Sequence, residues 1–322
     1  MKKIMITGAG GRLGREVAIA LSRLGYNQIL LTSRLPKKVL PGAEYLIVDW
    51  KNIKLPQISD IEAVIHLAHQ TSAYQARNNV EEDINSNVIA TIRIIEAIKH
   101  SAKPIHFIYM GSLTEYGSKN VNPISEFSKA EDPETFYDCS KLAVELYLKQ
   151  YKQEEILGTL TILRLGNLYG FLDSQKTQHR GFFDEAIYSA FHGKEVLCFG
   201  GGDFVRDFIH VDDVVSALIR FIESDPGVAN GTFNLASGVG HTLKEALSLI
   251  GQSLTSIGRN SIKIKMEEFP VKSYDIERRN HVADISRIKN TISWGPKTPL
   301  SQGISQSINY YLEQIGIQRE DI

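Results

Sequence analysis

Tyr137 and Lys141 stand four residues apart in the run Tyr137-Asp138-Cys139-Ser140-Lys141. On a helix that spacing puts both side chains on one face. A phenol with an ordinary pKa of about 10 is a poor base at neutral pH. A neighbouring ammonium favours the phenolate and is expected to bring the tyrosine into a useful range for acid–base work. Upstream, residues 105–110 read as a strand that ends in Gly111-Ser112-Leu113-Thr114-Glu115-Tyr116-Gly117. A hydroxyl at the carboxyl end of a parallel strand faces the crevice where ligands bind. Ser112 is therefore placed to hydrogen-bond the oxygen that Tyr137 protonates.

Residues 4–7 form a short apolar run leading into Gly8-Ala9-Gly10-Gly11-Arg12-Leu13-Gly14. Glycines at 8, 11 and 14 let the chain turn tightly after a strand and bring backbone N–H groups up to a pyrophosphate. They also seat the following helix on the sheet. The ligand that this strand, loop and helix suit is a dinucleotide. The next strand ends in Thr32-Ser33-Arg34. An acid there would hold a ribose 2′-OH, but none is present. Ser33 and Arg34 suit a 2′-phosphate, which favours NADP over NAD. Asp49, closing the third strand, either accepts from an adenine amino group or caps a turn.

These residues need a scaffold that gathers strand ends. Apolar runs at 4–7, 29–32, 45–48, 63–67, 105–110 and 159–165 are short, rich in Val, Ile and Leu, and bounded by turn residues. Helical patterns at 12–24, 80–99 and 134–152 alternate with them. Such alternation predicts an α/β fold, a Rossmann-like doubly wound parallel sheet with helices on both faces. After Gly170 a polar loop at 173–180 and an amphipathic helix at 182–192 lead into shorter units at 196–199, 214–222, 232–235 and 243–253. They predict a smaller C-terminal substrate-binding lobe. The division is 1–170 for the NAD(P)-binding domain and 171–322 for the lobe, with segments within 204–235, such as 206–209, returning to the first.

The net charge is −1, from 36 Lys+Arg against 37 Asp+Glu, with no basic stripe, which argues against a nucleic-acid partner. Cys139 and Cys198 belong to no Cys/His set with ligand spacing, so no metal is expected. No run nears the roughly 20 apolar residues that cross a bilayer. The first residues lack the apolar core of a signal peptide. A cytoplasmic protein with reduced thiols and no membrane partner is expected.

In these residues the chain resembles the extended short-chain dehydrogenase/reductase family, the nucleotide-sugar epimerases and dehydratases, from Lys3 to about Leu312. Further runs carry the resemblance: His66-Leu67-Ala68, Asn87-Val88-Ile89-Ala90-Thr91, Arg164-Leu165-Gly166-Asn167-Leu168-Tyr169-Gly170, residues 206–213, and Phe233-Asn234-Leu235. By position it implies Ser112, Tyr137 and Lys141 as catalytic residues, Lys141 also holding the nicotinamide ribose. It implies a cofactor lining of Gly8, Gly11, Arg12, Leu13, Gly14, Ser33, Arg34, Asp49, Trp50, Leu67, Ala68, Asn87, Tyr137 and Lys141. Ser112, Asn167 and Arg206 would meet a nucleotide-diphosphate sugar, with Arg278 or Arg279 as a second arginine. The loop before Asp284 is shorter than the family pattern, which leaves that register open. Two departures stand out. His69-Gln70 replaces smaller residues and narrows the space near the cofactor, and Gly111 stands where Ser is common. Family members are often dimers through helices corresponding to 80–99 and 134–152, so a homodimer is expected.

The family's shared half-reaction is hydride transfer between sugar carbon 4 and the nicotinamide, with Tyr137 exchanging the hydroxyl proton and Ser112 orienting it. The dehydratases carry an acidic pair directly after the strand-end hydroxyl. Leu113 and Thr114 stand there, and Glu115 is one position late, which disfavours a dehydratase. The reductases that also epimerise carbons 3 and 5 want a cysteine near Leu113, and none is there. Asn167 and residues 206–213 point to an NAD(P)-dependent nucleotide-sugar 4-epimerase. Thr32-Ser33-Arg34 keeps an NADPH-dependent 4-keto-sugar-nucleotide reductase open. The alternative from another class is a non-catalytic NADP-sensing protein on the same fold; intact Ser112, Tyr137 and Lys141 weigh against it. His179 reads as a solvated loop residue and Cys139 as a small packing residue.

Overall fold

Strands that are apolar on both faces need a cover on each, and the helices between them supply it. A computed structural model describes residues 3–36, 39–50, 52–58, 60–129, 132–170 and 181–314. Its first half runs β1 (Lys3–Thr7), α1 (Arg12–Arg23), β2 (Asn27–Thr32), β3 (Ala43–Ile47), β4 (Ala63–His66), α2 (Ala73–Asn78), α3 (Val80–Ile84), α4 (Ala90–Ile98), β5 (His106–Ser112), α5 (Phe136–Gln153) and β6 (Thr159–Leu165). Then come β7 (Asn167–Tyr169), α6 (Phe182–Phe191), β8 (Glu195–Phe199), β9 (Val205–His210), α7 (Val211–Glu223), β10 (Gly231–Leu235), β11 (Gly240–Thr242), α8 (Leu243–Ser256), β12 (Lys263–Glu267), α9 (Ser286–Ile292) and α10 (Leu300–Gln314).

Seven strands pair in parallel in the order β10-β6-β5-β4-β1-β2-β3. Val17 and Leu21 of α1 and Val214 and Phe221 of α7 cover one face. Ile94 and Ile98 of α4 and Val144 and Leu148 of α5 cover the other. This is the doubly wound α/β architecture the alternation predicts. From β1 the chain steps outward to β2 and β3, and from β4 the other way to β5 and β6. Between β1 and β4 the order reverses, where such sheets open a crevice at their carboxyl ends.

Residues 204–235 divide. β10 joins the main sheet beside β6, and α7 packs with it. Residues 206–209 lie in β9, which pairs with β7 and β11 in a separate three-stranded sheet, while Ile209 packs into the apolar cluster of the main sheet. A third apolar cluster holds Phe183 and Ile187 of α6, Leu247 and Ile250 of α8, and Ile304 and Ile308 of α10. The loop read at 173–180, with His179, lies outside the described residues. The single helix expected over 80–99 is α3, a wider π-turn at Asn85–Ile89, and α4. Such turns recur at functional sites, and this one carries Asn87.

Candidate active site

α1 starts at Gly11 with no side-chain cap, leaving its first N–H groups available. Gly8 has φ of 69°, and a Cβ there would lie 2.8 Å from the Ala68 nitrogen. A Cβ on Gly14 would overlap the Gly8 carbonyl. Gly10, which the spacing argument passed over, faces Thr32, whose hydroxyl a Cβ would strike. The result is a cradle of backbone that side chains would fill, and it fits the pyrophosphate of a dinucleotide.

The β4 side of the cradle is pinned by Thr7. Its hydroxyl accepts from the N–H groups of Leu67 and Ala68, both at 3.1 Å, and lies 2.6 Å from His66 Nδ1. His66 Nε2 is 2.8 Å from the Thr91 hydroxyl, which donates to the Asn87 carbonyl. Because Thr91's proton is committed, His66 donates from Nε2 and accepts at Nδ1. Burial pushes His66 down to about 3, so it stays neutral. His69 packs edge-on against His66 and Tyr109.

The other residues expected at the cofactor are spread around this cradle. Ser33, Arg34 and Asp49 are exposed past β2 and β3, and Trp50 leans on the core under α4. Leu13 packs against the α1 side. Arg12 turns to an ion pair with the buried Asp184 of α6. The Asn87 amide donates to Asp83 Oδ1 at 3.0 Å and Ser140 Oγ at 2.9 Å, and its oxygen accepts from the Gln70 N–H at 2.8 Å. That amide builds the wall of the crevice from within.

Ser112, Tyr137 and Lys141 meet at the carboxyl end of β5. Thr135 caps α5, accepting from the Asp138 N–H at 3.1 Å, and so fixes the turn that carries Tyr137. Lys141 Nζ donates to the Met110 carbonyl at 2.8 Å and lies 5.8 Å from the centre of the Tyr137 ring. The Ser112 hydroxyl favours the ionised form of the Tyr137 phenol. Burial lowers Lys141 to about 7, against the opposing pull of Glu115, Asp83 and Glu145.

The expectation that Lys141 depresses the Tyr137 pKa is corrected for the chain by itself. Burial first, then the nearby Glu115 and Asp138, push the phenol well above its ordinary value, and Ser112 is the counterweight.

Behind these residues sits a buried charge cluster. Arg164 makes a two-pronged bond to Glu145, at 2.9 and 2.8 Å. Burial opposes ionisation of Glu145, but the arginine wins and holds it at about 2. Glu115 is fully buried; Oε1 accepts from the Ser112 N–H at 2.6 Å, and Oε2 lies 3.5 Å from Arg164 Nε. Burial and then Glu145 raise Glu115 well above the carboxylate range. The two carboxyls thus behave as a pair holding one proton.

Arg206, on β9, is buried and donates to the carbonyls of Val205, Arg279 and Glu277. Burial and the cationic Arg279 lower it to about 9. Arg278 is exposed, against Phe269 and Asp275. Asn167 opens β7 alongside Phe208. Sequence reasoning missed Thr114, Asp138 and Glu115 as partners of the site. The Ser112-x-x-Glu115 spacing is a capping-box signature that points to the last of them.

A model of the NAD dependent epimerase/dehydratase family matches residues 4–236. The chain belongs to that family. It is an NAD-dependent enzyme of the extended short-chain dehydrogenase/reductase type. It is 27% identical over 315 residues to a putative UDP-glucose 4-epimerase of Methanocaldococcus jannaschii, covering 95% of this chain and 97% of that protein. To the UDP-glucose 4-epimerase of Mycolicibacterium smegmatis it is 28% identical over 254 residues, 78% and 76% of the two chains. The same fold occurs in the Thermotoga maritima UDP-glucose 4-epimerase solved with UDP-glucose, at a TM-score of 0.84 and 24% identity, covering 97% and 99%. It also occurs in the Bacillus cereus UDP-glucuronic acid 4-epimerase solved with UDP-glucuronic acid and NAD, at 0.81 and 21%, with the same coverage. Among the described residues no cluster suits a metal ion, and no helix is long and apolar enough to cross a membrane.

Proposed function

We propose that this enzyme is a nucleotide-sugar 4-epimerase that acts on a UDP-hexose by reversible hydride transfer at carbon 4. The observation that carries the reading is the meeting of Ser112, Tyr137 and Lys141 beside a glycine cradle. Gly8, Gly11 and Gly14 would hold the dinucleotide, whose nicotinamide supplies the hydride acceptor and donor. Lys141 would hold its ribose, and its positive charge adds to Lys141's in drawing the Tyr137 proton off. Tyr137 exchanges the proton of the sugar's O4, and Ser112 keeps that oxygen in line. Arg206 and Arg279, two cations side by side, support a diphosphate site; the exposed setting of Arg278 makes Arg279 the second arginine. Arg34, exposed at the end of β2, supports acceptance of NADP as well as NAD. Exposed Ile84, Phe136, Leu146 and Tyr147 on α3 and α5 support a homodimer.

The test is direct. The purified protein with UDP-glucose or UDP-N-acetylglucosamine should form the 4-epimer with no net change in nicotinamide absorbance. Stoichiometric NADPH consumption with a 4-keto sugar nucleotide would overturn this in favour of the reductase. Tyr137→Phe should lower turnover by about 10²–10⁴-fold while cofactor binding is kept; an equally active variant would point to the non-catalytic sensor or to another acid.

A further inference from the structure

Arg77, on α2, is fastened to a segment 195 residues further along the chain. Its Nη1 donates to the Lys272 carbonyl at 2.8 Å. Its guanidinium lies 4.3 Å from the centre of the Tyr274 ring and 5.1 Å from that of Tyr74. The two ring centres are 5.6 Å apart. A planar cation over two aromatic faces, with one N–H on a carbonyl, suits a guanidinium better than an ammonium. The two ends of this fastening belong to different parts of the active site. α2 follows β4 and residues 67–68, whose backbone meets the Gly8 turn of the dinucleotide cradle. Tyr274 leads into the turn Asp275–Arg278 and then Arg279. The Glu277 and Arg279 carbonyls hold Arg206, and the Arg279 cation acts on Asp138, next to Tyr137. Residues 272–279 are thus an arm of the substrate side that Arg77 ties to the cofactor side. Charge marks the same approach, since burial and then Glu277 raise the Tyr74 phenol.

We propose that Arg77 is a positioning residue for the substrate: it holds the 272–279 arm against α2 and so retains the 4-keto sugar nucleotide between the two hydride transfers. The proposal rests on the epimerase reading above. In the oxidative half the C4–H bond breaks and its electron pair leaves as hydride to the nicotinamide. The O4–H proton passes to the enzyme, and a C4=O bond forms. The ketone must then present its other face to the same hydride, and no covalent bond holds it while it turns. If it escapes, one 4-keto sugar nucleotide is released for each reduced dinucleotide left behind, and the enzyme stalls. A site that stays shut during the turn and opens before and after it avoids that loss. The Arg77 contacts suit this duty. Each is modest at a half-exposed site, so the fastening can open and close with turnover. Together they hold the arm that carries Arg279 and anchors Arg206.

The experiment uses the cofactor-loaded enzyme with UDP-glucose or UDP-N-acetylglucosamine. Released ketone is trapped with borodeuteride and counted as deuterium at carbon 4, against the epimer formed. Arg77→Met should raise the share of turnovers that end in release about tenfold, with KM raised and initial kcat nearly kept. Reduced nicotinamide should build up in step with the trapped ketone. UDP, displaced from the same protein in a stopped-flow measurement, should leave about tenfold faster. Tyr274→Leu should behave like Arg77→Met, and the double variant should leak no more than either single one. Arg77→Lys should fall between, because it keeps the charge and loses the planar fork. Tyr274→Phe, which keeps the ring, should stay near wild type. Tyr274→Leu and Arg77→Lys decide the matter if Arg77→Met fails to fold. An active wild type whose Arg77→Met and Tyr274→Leu variants release ketone and UDP no faster than it does overturns the retention role alone. A wild type with no epimerase activity overturns the functional reading and the retention role with it.

Discussion

Gly111 and Glu115 compete for one space: a Cβ on residue 111 would lie 2.8 Å from Glu115 Oε1. The missing side chain noted at Gly111 is thereby explained, since the Glu115 carboxyl must pass close by to reach the Ser112 N–H. Gly111→Ala should cost about 1–3 kcal/mol through overpacking. Glu115→Ala should also destabilise, by leaving that N–H unpaired. In the double variant the clash is gone, so the two losses should not add. Urea unfolding of the four proteins measures the coupling, and simple additivity would refute the shared space.

Lys141 is held at about 7 in the ligand-free chain, chiefly by burial. It therefore carries its ammonium below neutrality and loses it as pH rises through that value. NAD affinity should fall roughly tenfold between pH 6 and pH 8, the loss expected for one group titrating in that window. Calorimetric titration of the cofactor-free protein would show it, with Lys141→Met flat across the range. A constant wild-type affinity would show that the amine is not needed charged.

The Arg12–Asp184 ion pair joins the glycine loop to α6, with the Asp184 side chain only 4% exposed. Removing the buried acid of such a pair costs about 3 kcal/mol. Asp184→Ala should therefore lower the denaturation midpoint and loosen the loop, weakening NAD binding. If both quantities match the wild type, the bond does not tie the lobe to the cofactor loop.

Arg206 and Arg279 lie near one another, and a dianionic ligand would relieve their repulsion. UDP alone should raise the melting temperature, and the rise should shrink with added salt. Arg206→Gln and Arg279→Gln should each abolish most of the shift, whereas Arg278→Gln should keep it. A shift lost only in Arg278→Gln would reassign the second arginine.

The elements were readable because burial on both sheet faces writes near-continuous apolar runs, as in β1, β2 and β5. The order of Gly8, Ser112, Tyr137 and Lys141 made the crevice readable too, since each sits at a strand end or on the following helix. What the sequence hid was long-range. Gly10 is a glycine because of Thr32, and Arg206 finds its partners in the carbonyls of Glu277 and Arg279. No local pattern announces either. The burial that raises the Tyr137 phenol was hidden for the same reason: the neighbouring lysine is visible four residues on, but depth of burial is a property of the whole fold.

β10 pairs with β6 through Phe233 and Leu163, so the last strand of the main sheet is made only after β7, α6, β8 and β9. A nascent chain released from the ribosome before residue 235 would carry a bare β6 edge, open to pairing with any other strand. The excursion between β6 and β10 is in effect an insertion within the sheet. Because closure entropy grows by only about 0.6 kcal/mol for each doubling of loop length, the part of it that packs in the separate cluster can be lengthened at little thermodynamic expense, whereas α7, which covers the main sheet, has to stay. Such growth would leave the dinucleotide cradle at β1 and α1 untouched.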